Sequence, residues 1–235
     1  MTELQTELQK IVYEGYKKIA PEFAATRQRG AGPKIKPFLK FFPKNGSVLD
    51  LGCGTGRLIP YLPANLDYLG VDPSSELLAI AKSSYPKHRF LKGGFLEANQ
   101  WGRFSVVVSL AAWHHLPDLK SRLESLEKMA QATLPGGLVI VSVWNFWGRA
   151  ERRRQLWHHF WRRPRLLGQR LSFKDLLFPW KNQQGEVVAQ RYYHAFSRSE
   201  IRGLLKRLGV SRKDYDLFSD LDNHWLVWRP AKESS

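Results

Sequence analysis

The chain has 235 residues, 43% of them hydrophobic, which suffices for one substantial core, and its only cysteine is Cys53. A lone cysteine excludes a disulfide framework and a cysteine-based metal site, no apolar run approaches the roughly 18 residues of a membrane span, and Met1 to Lys18 alternates charged and apolar residues unlike a signal peptide; a reducing, cytoplasmic setting is expected. The formal net charge of +16 exceeds what solubility asks for and points to a polyanionic partner, nucleic acid ahead of an anionic membrane.

In chain order, Leu4, Leu8, Ile11, Val12, Tyr16 and Ile19 share one helical face, which predicts an amphipathic helix over Glu3–Ala20 stopping near Pro21. A basic loop broken by glycine and proline, 27–37, follows. Strands are then predicted at Val48–Leu51, Tyr68–Val71, Arg89–Lys92, Ser105–Leu110 and Leu138–Val143. Helices are predicted around Leu58, over Ser74–Ser84 and over Leu119–Ala132. This alternation predicts an α/β, Rossmann-like, doubly wound and mostly parallel sheet with helices on both faces. From Asn145 an insertion rich in arginine and tryptophan breaks the pattern. Ser197-Arg198-Ser199-Glu200 reads as a capping box opening a helix that stops at Gly209, and His224–Trp228 reads as a last strand. A single domain over 1–235 is expected: N-terminal helix and basic loop (1–42), core (43–144), basic aromatic insertion (145–182) and C-terminal helix and strands (183–235).

Val48-Leu49-Asp50-Leu51-Gly52-Cys53-Gly54-Thr55-Gly56 carries the chemistry. A strand ending in an acid runs into a turn with glycine at every second position, where backbone can press against a ligand at the carboxyl end of a strand. A dinucleotide fingerprint is excluded because Arg57 holds the slot of its third glycine, and no P-loop lysine is present. An acid two positions ahead of G-x-G-x-G resembles motif I of class I S-adenosylmethionine (SAM) methyltransferases, with Leu134-Pro135-Gly136-Gly137 in keeping. The resemblance implies a seven-stranded sheet with an antiparallel last strand. It also implies SAM held by Asp50, Gly52, Cys53, Gly54 and Gly56, by Asp72 and Pro73 after the second strand, by Gly94 and Phe95 after the third, and by Ala111 after the fourth. Asp72 is placed to accept hydrogen bonds from ribose hydroxyls, or else simply caps the next helix. Two family acids are missing: Gly94 stands where the adenine-binding acid is expected, with the backbone around Phe95 or Glu97 as substitutes, and Ser105 replaces another. His114 and His115, at the exit of the fourth strand, are a general base, a substrate-orienting donor or a pocket wall; no metal site is expected from them.

Further segments resemble a narrower group. Val12-Tyr13, Ile19-Ala20-Pro21-Glu22-Phe23, Thr26-Arg27, His114-His115, Asp175-Leu176-Leu177-Phe178-Pro179-Trp180, Gln190-Arg191-Tyr192-Tyr193-His194-Ala195-Phe196 and Asn223-His224-Trp225 are similar to the tRNA wobble-uridine carboxymethyl methyltransferases. That resemblance implies methyl transfer from SAM to a carboxymethyluridine-like base in a tRNA anticodon loop, with a small zinc-binding activator subunit as partner. The family's Pro-Trp segment is replaced at 29–34 by Arg29-Gly30-Ala31-Gly32-Pro33-Lys34, a departure from the family's pattern. A carboxylate substrate is already ionised at neutral pH and needs only a cationic orienter, Arg27 first and Arg191 second. An amine would instead call on His114 or His115 as base. Tyr192, Tyr193 and His194 are candidates to stack on or hydrogen-bond the base, with at least one of the two tyrosines expected to serve as edge-strand packing instead.

Between Arg149 and Arg170 stand eight arginines and one glutamate. Leu156, Trp157, Phe160 and Trp161 are expected to form a stripe packed on the domain, leaving Arg152, Arg153, Arg154, Arg162, Arg163 and Arg165 as an RNA-phosphate surface. Two rivals remain open: a small-molecule or quinone methyltransferase that uses this helix as an interfacial anchor, and a catalytically decayed RNA-binding protein of the same fold.

Overall fold

The computed structural model describes residues 2–28, 36–162 and 164–231. Helix α1 spans Glu3–Gln28 and continues through Pro21, past the predicted stop. A proline removes one helical hydrogen bond, but Ile19 and Ala20 before it and Ala24 after it are buried, so packing holds the helix together. Gly15 permits the approach: a Cβ there would lie 2.4 Å from the carbonyl oxygen of Gln190.

The core comprises β1 (Gly46–Leu51), β2 (Leu66–Asp72), α2 (Ser75–Ser84), β3 (Arg89–Lys92), β4 (Phe104–Leu110), α3 (Leu119–Gln131) and β5 (Thr133–Trp144). It is followed by α4 (Ala150–Arg162), the two-residue strands β6 (Arg165–Leu166) and β7 (Gln169–Arg170), β8 (Asp175–Lys181), β9 (Val187–His194), α5 (Arg198–Arg207), β10 (Tyr215–Ser219) and β11 (Asn223–Trp228). Seven strands form one sheet in the order β10-β11-β5-β4-β1-β2-β3. Strands β1 to β5 pair in parallel, while β11 runs antiparallel to both β5 and β10. Val106, Val107 and Val108 of β4 are completely buried, as a parallel strand covered on both faces requires. Ser74 caps α2 and Asp118 caps α3, each accepting a backbone N–H of the first turn.

Three features depart from expectation. The helix around Leu58 is one 3-10 turn, Ile59–Tyr61, with Pro60 and Pro63 hemming it in. Strands β8 and β9 form a separate antiparallel hairpin that crosses the expected 182/183 boundary, and β10 was not expected at all. On α4 the apolar stripe does not pack as a whole. Leu156 is 2% exposed, but Trp157 is 56% and Trp161 79% exposed. No helix among the described residues is long and apolar enough to cross a membrane.

Candidate active site

A cleft of about 110 Å³, open to solvent, lies over the carboxyl ends of β1, β2 and β4. Its floor is Gly52 to Thr55, Arg57, Asp72 and Pro73, with Phe95 and Leu77 on one side. Ala111, Ala112, His115, Trp144 and Tyr193 form the far wall, and Val12, Tyr16 and Phe23 of α1 cover it.

The glycine loop is held by Gly52 and Cys53, whose N–H groups donate to the Val71 carbonyl at 2.8 and 3.1 Å. Gly52 has φ +73° and a Cβ there would meet Ala112 Cβ at 2.3 Å; Gly54 has φ +56° and faces open space. A left-handed backbone bared to the cleft leaves room for a ligand to contact the chain itself. Asp72 accepts the N–H of Gly54 (2.9 Å, Oδ2) and of Ser74 (2.9 Å, Oδ1), which aims its remaining lone pairs at the cleft. Burial pushes its carboxyl up to about 6 against the opposing pull of those two hydrogen bonds. At neutral pH it is therefore an anionic acceptor, the group a ribose diol needs.

Other expected residues sit elsewhere. Asp50 is buried behind the loop, accepts the Tyr68 hydroxyl at 2.8 Å and does not line the cleft; burial likewise raises it to about 6. Gly56 and Gly94 lie outside the lining, and Glu97 accepts Gly94's own N–H at 2.9 Å instead of turning inward. Ser105 stands at the opposite end of β4, exchanging two 3.3 Å hydrogen bonds with Ser47, so its missing acid has no bearing on the cleft. Ala111 does line it, in a left-handed conformation (φ +53°) uncommon for a residue with a side chain. Both its N–H partners, the Ser142 carbonyl and hydroxyl at 3.0 Å, pin that turn.

The two histidines divide. His115 Nδ1 lies 2.6 Å from the Tyr192 carbonyl and Nε2 lies 3.0 Å from the Tyr16 hydroxyl. A carbonyl only accepts, so the proton sits on Nδ1 and Nε2 accepts from Tyr16. Burial, and the nearby Arg191 charge, hold this imidazole down to about 4 despite the hydrogen bond to Tyr192. His114 is sealed beneath the wall. Its Nδ1 accepts the Trp144 N–H at 3.3 Å, its Nε2 has no partner among the described residues, and burial drives its pKa well below the usual imidazole value. Neither is equipped to take a proton from substrate.

Arg191 is 7% exposed, with its guanidinium carbon 4.7 Å from the Trp180 ring and 5.4 Å from the Tyr193 ring. Its Nε is buried without a hydrogen-bond partner, and no carboxylate among the described residues pairs with it. Tyr193, on whose ring Arg191 lies, stacks on Trp144 (4.8 Å, 15°) and lines the cleft, with Arg191 beside the lining rather than in it. The side chain of Arg27, at the end of α1, and all of Arg163 lie outside the described residues.

His194 is a correction. Its Nδ1 faces Asp175 and its Nε2 faces Glu200, both at 2.7 Å, which leaves no ring nitrogen for substrate. With Arg122, Lys174 and the Tyr192 hydroxyl on the same two acids, it ties the β8–β9 hairpin to α3 and α5. Arg152 is a second correction: it donates to the Asp222 carbonyl at 2.6 Å, pairs with the Asp222 carboxylate at 3.3 Å and lies over Trp144, so it anchors α4 rather than reaching RNA. Arg153 also bonds the Trp147 and Gly148 carbonyls, though it stays exposed; Arg154, Arg162 and Arg165 are exposed.

Sequence reasoning overlooked Tyr16 and Phe23 as site residues, along with Arg57 and Trp144. Arg57 had a readable signal, since it follows the glycine motif directly; it donates to the Leu110 carbonyl at 2.9 Å and ties the loop to the end of β4. Tyr16 and Phe23 had none, because helical spacing alone does not say that α1 roofs a cleft.

Three left-handed glycines after β1, an anionic acceptor at the end of β2 and a sheet with one reversed strand define a class I SAM-dependent methyltransferase. The chain belongs to the family described as methyltransferase domain, whose model matches residues 23–211. It is 26% identical over 228 residues to the Schizosaccharomyces pombe tRNA (carboxymethyluridine(34)-5-O)-methyltransferase, covering 92% of this chain and 94% of that one. It is 30% identical over 139 residues to the Saccharomyces cerevisiae protein of the same name, covering 58% of this chain and 48% of that one, and 30% identical over 136 residues to the Arabidopsis thaliana protein, covering 57% and 33%. The match thus spans nearly all of one relative and half or less of the others. Among solved structures, the DhpI-SAM-HEP complex superposes with a TM-score of 0.67 at 21% identity, over 98% of this chain and 100% of that one, and shares the fold.

Proposed function

We propose that this enzyme esterifies a carboxylate on a tRNA anticodon-loop uridine, a carboxymethyluridine-like base, with SAM as methyl donor. The observation that carries this reading is the pairing of a buried Arg191, without a carboxylate partner among the described residues, with two histidines that stay neutral. A site with a fixed cation and no available base suits a nucleophile that arrives already ionised. An amine would arrive protonated and need a base the wall does not offer, so the amine alternative is the weaker one. The names of the relatives support RNA as the substrate carrier.

The residues present fit SAM: the bare backbone at Gly52 and Gly54 leaves room for it and Asp72 offers an anionic acceptor. Bound there, SAM supplies an electrophilic methyl group on a sulfonium. Asp72 would hold the ribose, Phe95 and Leu77 would flank the base, and Ala111–Ala112 would bound the methionine end. Arg191 would orient the substrate carboxylate, with Arg27 a second cation at the end of α1. Tyr16, fixed by His115, would position substrate beneath α1, where α1 also excludes water. Arg153, Arg154, Arg162 and Arg165 would contact phosphates along the approach. The small zinc-binding activator implied by the resemblance is part of the proposal, and turnover of the chain with and without such a subunit tests it.

Bulk tRNA incubated with the enzyme and methyl-labelled SAM, digested and resolved by mass spectrometry, is expected to carry label in a carboxymethyluridine-type nucleoside. Label confined to another nucleoside, or absent from tRNA, contradicts the reading.

A further inference from the structure

Large aromatic side chains are buried by default in a chain of this size, and the outer face of α4 is an exception. Arg153, Trp157 and Trp161 follow one another at intervals of four residues, so they form one stripe along the helix; Arg154, His158 and Arg162 form the next. Trp157 is 56% and Trp161 79% exposed. The rings nonetheless contact one another. Phe160 meets Trp157 edge-on at 5.7 Å (88°), Trp161 at 5.5 Å (73°) and Phe173 at 6.1 Å (87°). Beside Trp157 an apolar hollow opens between Trp147, Leu156 and Phe173.

Charge says what covers this face. Glu151 is the one acid on α4, and the side chains of Arg154 and Arg162 make no hydrogen bond or ion pair with described residues. A second copy of the chain would bring the same positive face and be repelled. An RNA strand offers phosphates to the arginines and flat bases to the indoles, and stacking of this kind tolerates any base. The inner face of the helix places Leu156 in a buried cluster with Phe146, Leu176 and Tyr193, and Tyr193 lines the cleft.

Resting on the RNA substrate proposed above, we propose that the outer face of α4 is a binding site for unpaired RNA, with Trp157 and Trp161 as the stacking rings and Arg154 and Arg162 as phosphate ligands beside them. The test is equilibrium binding of the full chain to an anticodon stem-loop RNA and to a uridine oligonucleotide, across a salt series. Trp157→Ala with Trp161→Ala is expected to weaken binding about tenfold or more while leaving the salt slope unchanged. Trp157→Phe with Trp161→Phe recovers most of the loss, which separates stacking from a folding defect. Arg154→Ala with Arg162→Ala instead flattens the slope by about 1.4, two phosphate contacts' worth on a single strand. Wild-type RNA affinity in the tryptophan-to-alanine pair overturns the proposal. So does tryptophan-dependent binding to phosphatidylglycerol vesicles with RNA affinity unaltered, which would make α4 a membrane anchor. Tryptophan-dependent RNA binding without methylated tRNA would overturn only the substrate reading; RNA binding absent in the wild type would overturn both.

Discussion

In the proposed reaction Arg191 is the residue on which the chemistry turns. Its guanidinium lies over two aromatic rings with an unpartnered buried Nε, so its charge is available to a ligand. Arg191→Gln should lower the rate of methyl transfer by about a hundredfold, the order expected when a charged hydrogen bond to a bound group is lost, and leave SAM affinity unchanged; steady-state kinetics beside a SAM titration checks this. In the same proposal Asp72 governs the cofactor half. With its carboxyl raised to about 6, SAM affinity should be constant above neutrality and fall roughly tenfold per unit as pH drops below about 6. In Asp72→Asn the affinity is low throughout and flat with pH, because the amide must set an N–H against one of the two N–H donors the carboxylate now accepts.

At the scale of elements, the β8–β9 hairpin owes its place to the acid cluster. Burial alone would raise Glu200, but His194 and Lys174 hold it down to about 2. A carboxyl depressed in the folded state stabilises the fold above its unfolded value of 4.5, and that contribution is lost as pH falls toward about 2. Glu200→Gln should therefore destabilise the fold at pH 7, seen as a lower thermal midpoint, with the deficit shrinking between roughly pH 4.5 and 2. The hairpin was poorly legible beforehand. Pro179 inside β8 argues against a strand unless its partner lies on one side only, and nothing local announces that His194 will meet Glu200 across a turn. The core strands were legible because burial on both faces writes itself as Val-Val-Val, and the glycine loop because left-handed turns need glycine. Pro21 misled for the converse reason: a local breaker was outweighed by distant packing.

For the whole molecule, the cleft belongs to the fold and the substrate side belongs to additions upon it. α1 roofs the cleft, β9 brings Arg191 and Tyr193 beside it, and α4 carries exposed tryptophans and arginines outside it. The net charge of +16 then acts over the entire surface as an attraction for a polyanion. The cleft floor could be read from spacing at Gly52, Gly54 and Asp72, whereas the places of Tyr16 and Trp144, and the lack of a carboxylate partner for Arg191 among the described residues, depend on contacts between segments far apart in sequence. The central claim is that the methyl group goes to a carboxylate oxygen. Mild alkali separates the possibilities in one step, because a methyl ester is hydrolysed while a methylated nitrogen or carbon survives. tRNA labelled by this enzyme from methyl-labelled SAM is expected to release its label as methanol under alkali; label that stays on the tRNA would contradict the account.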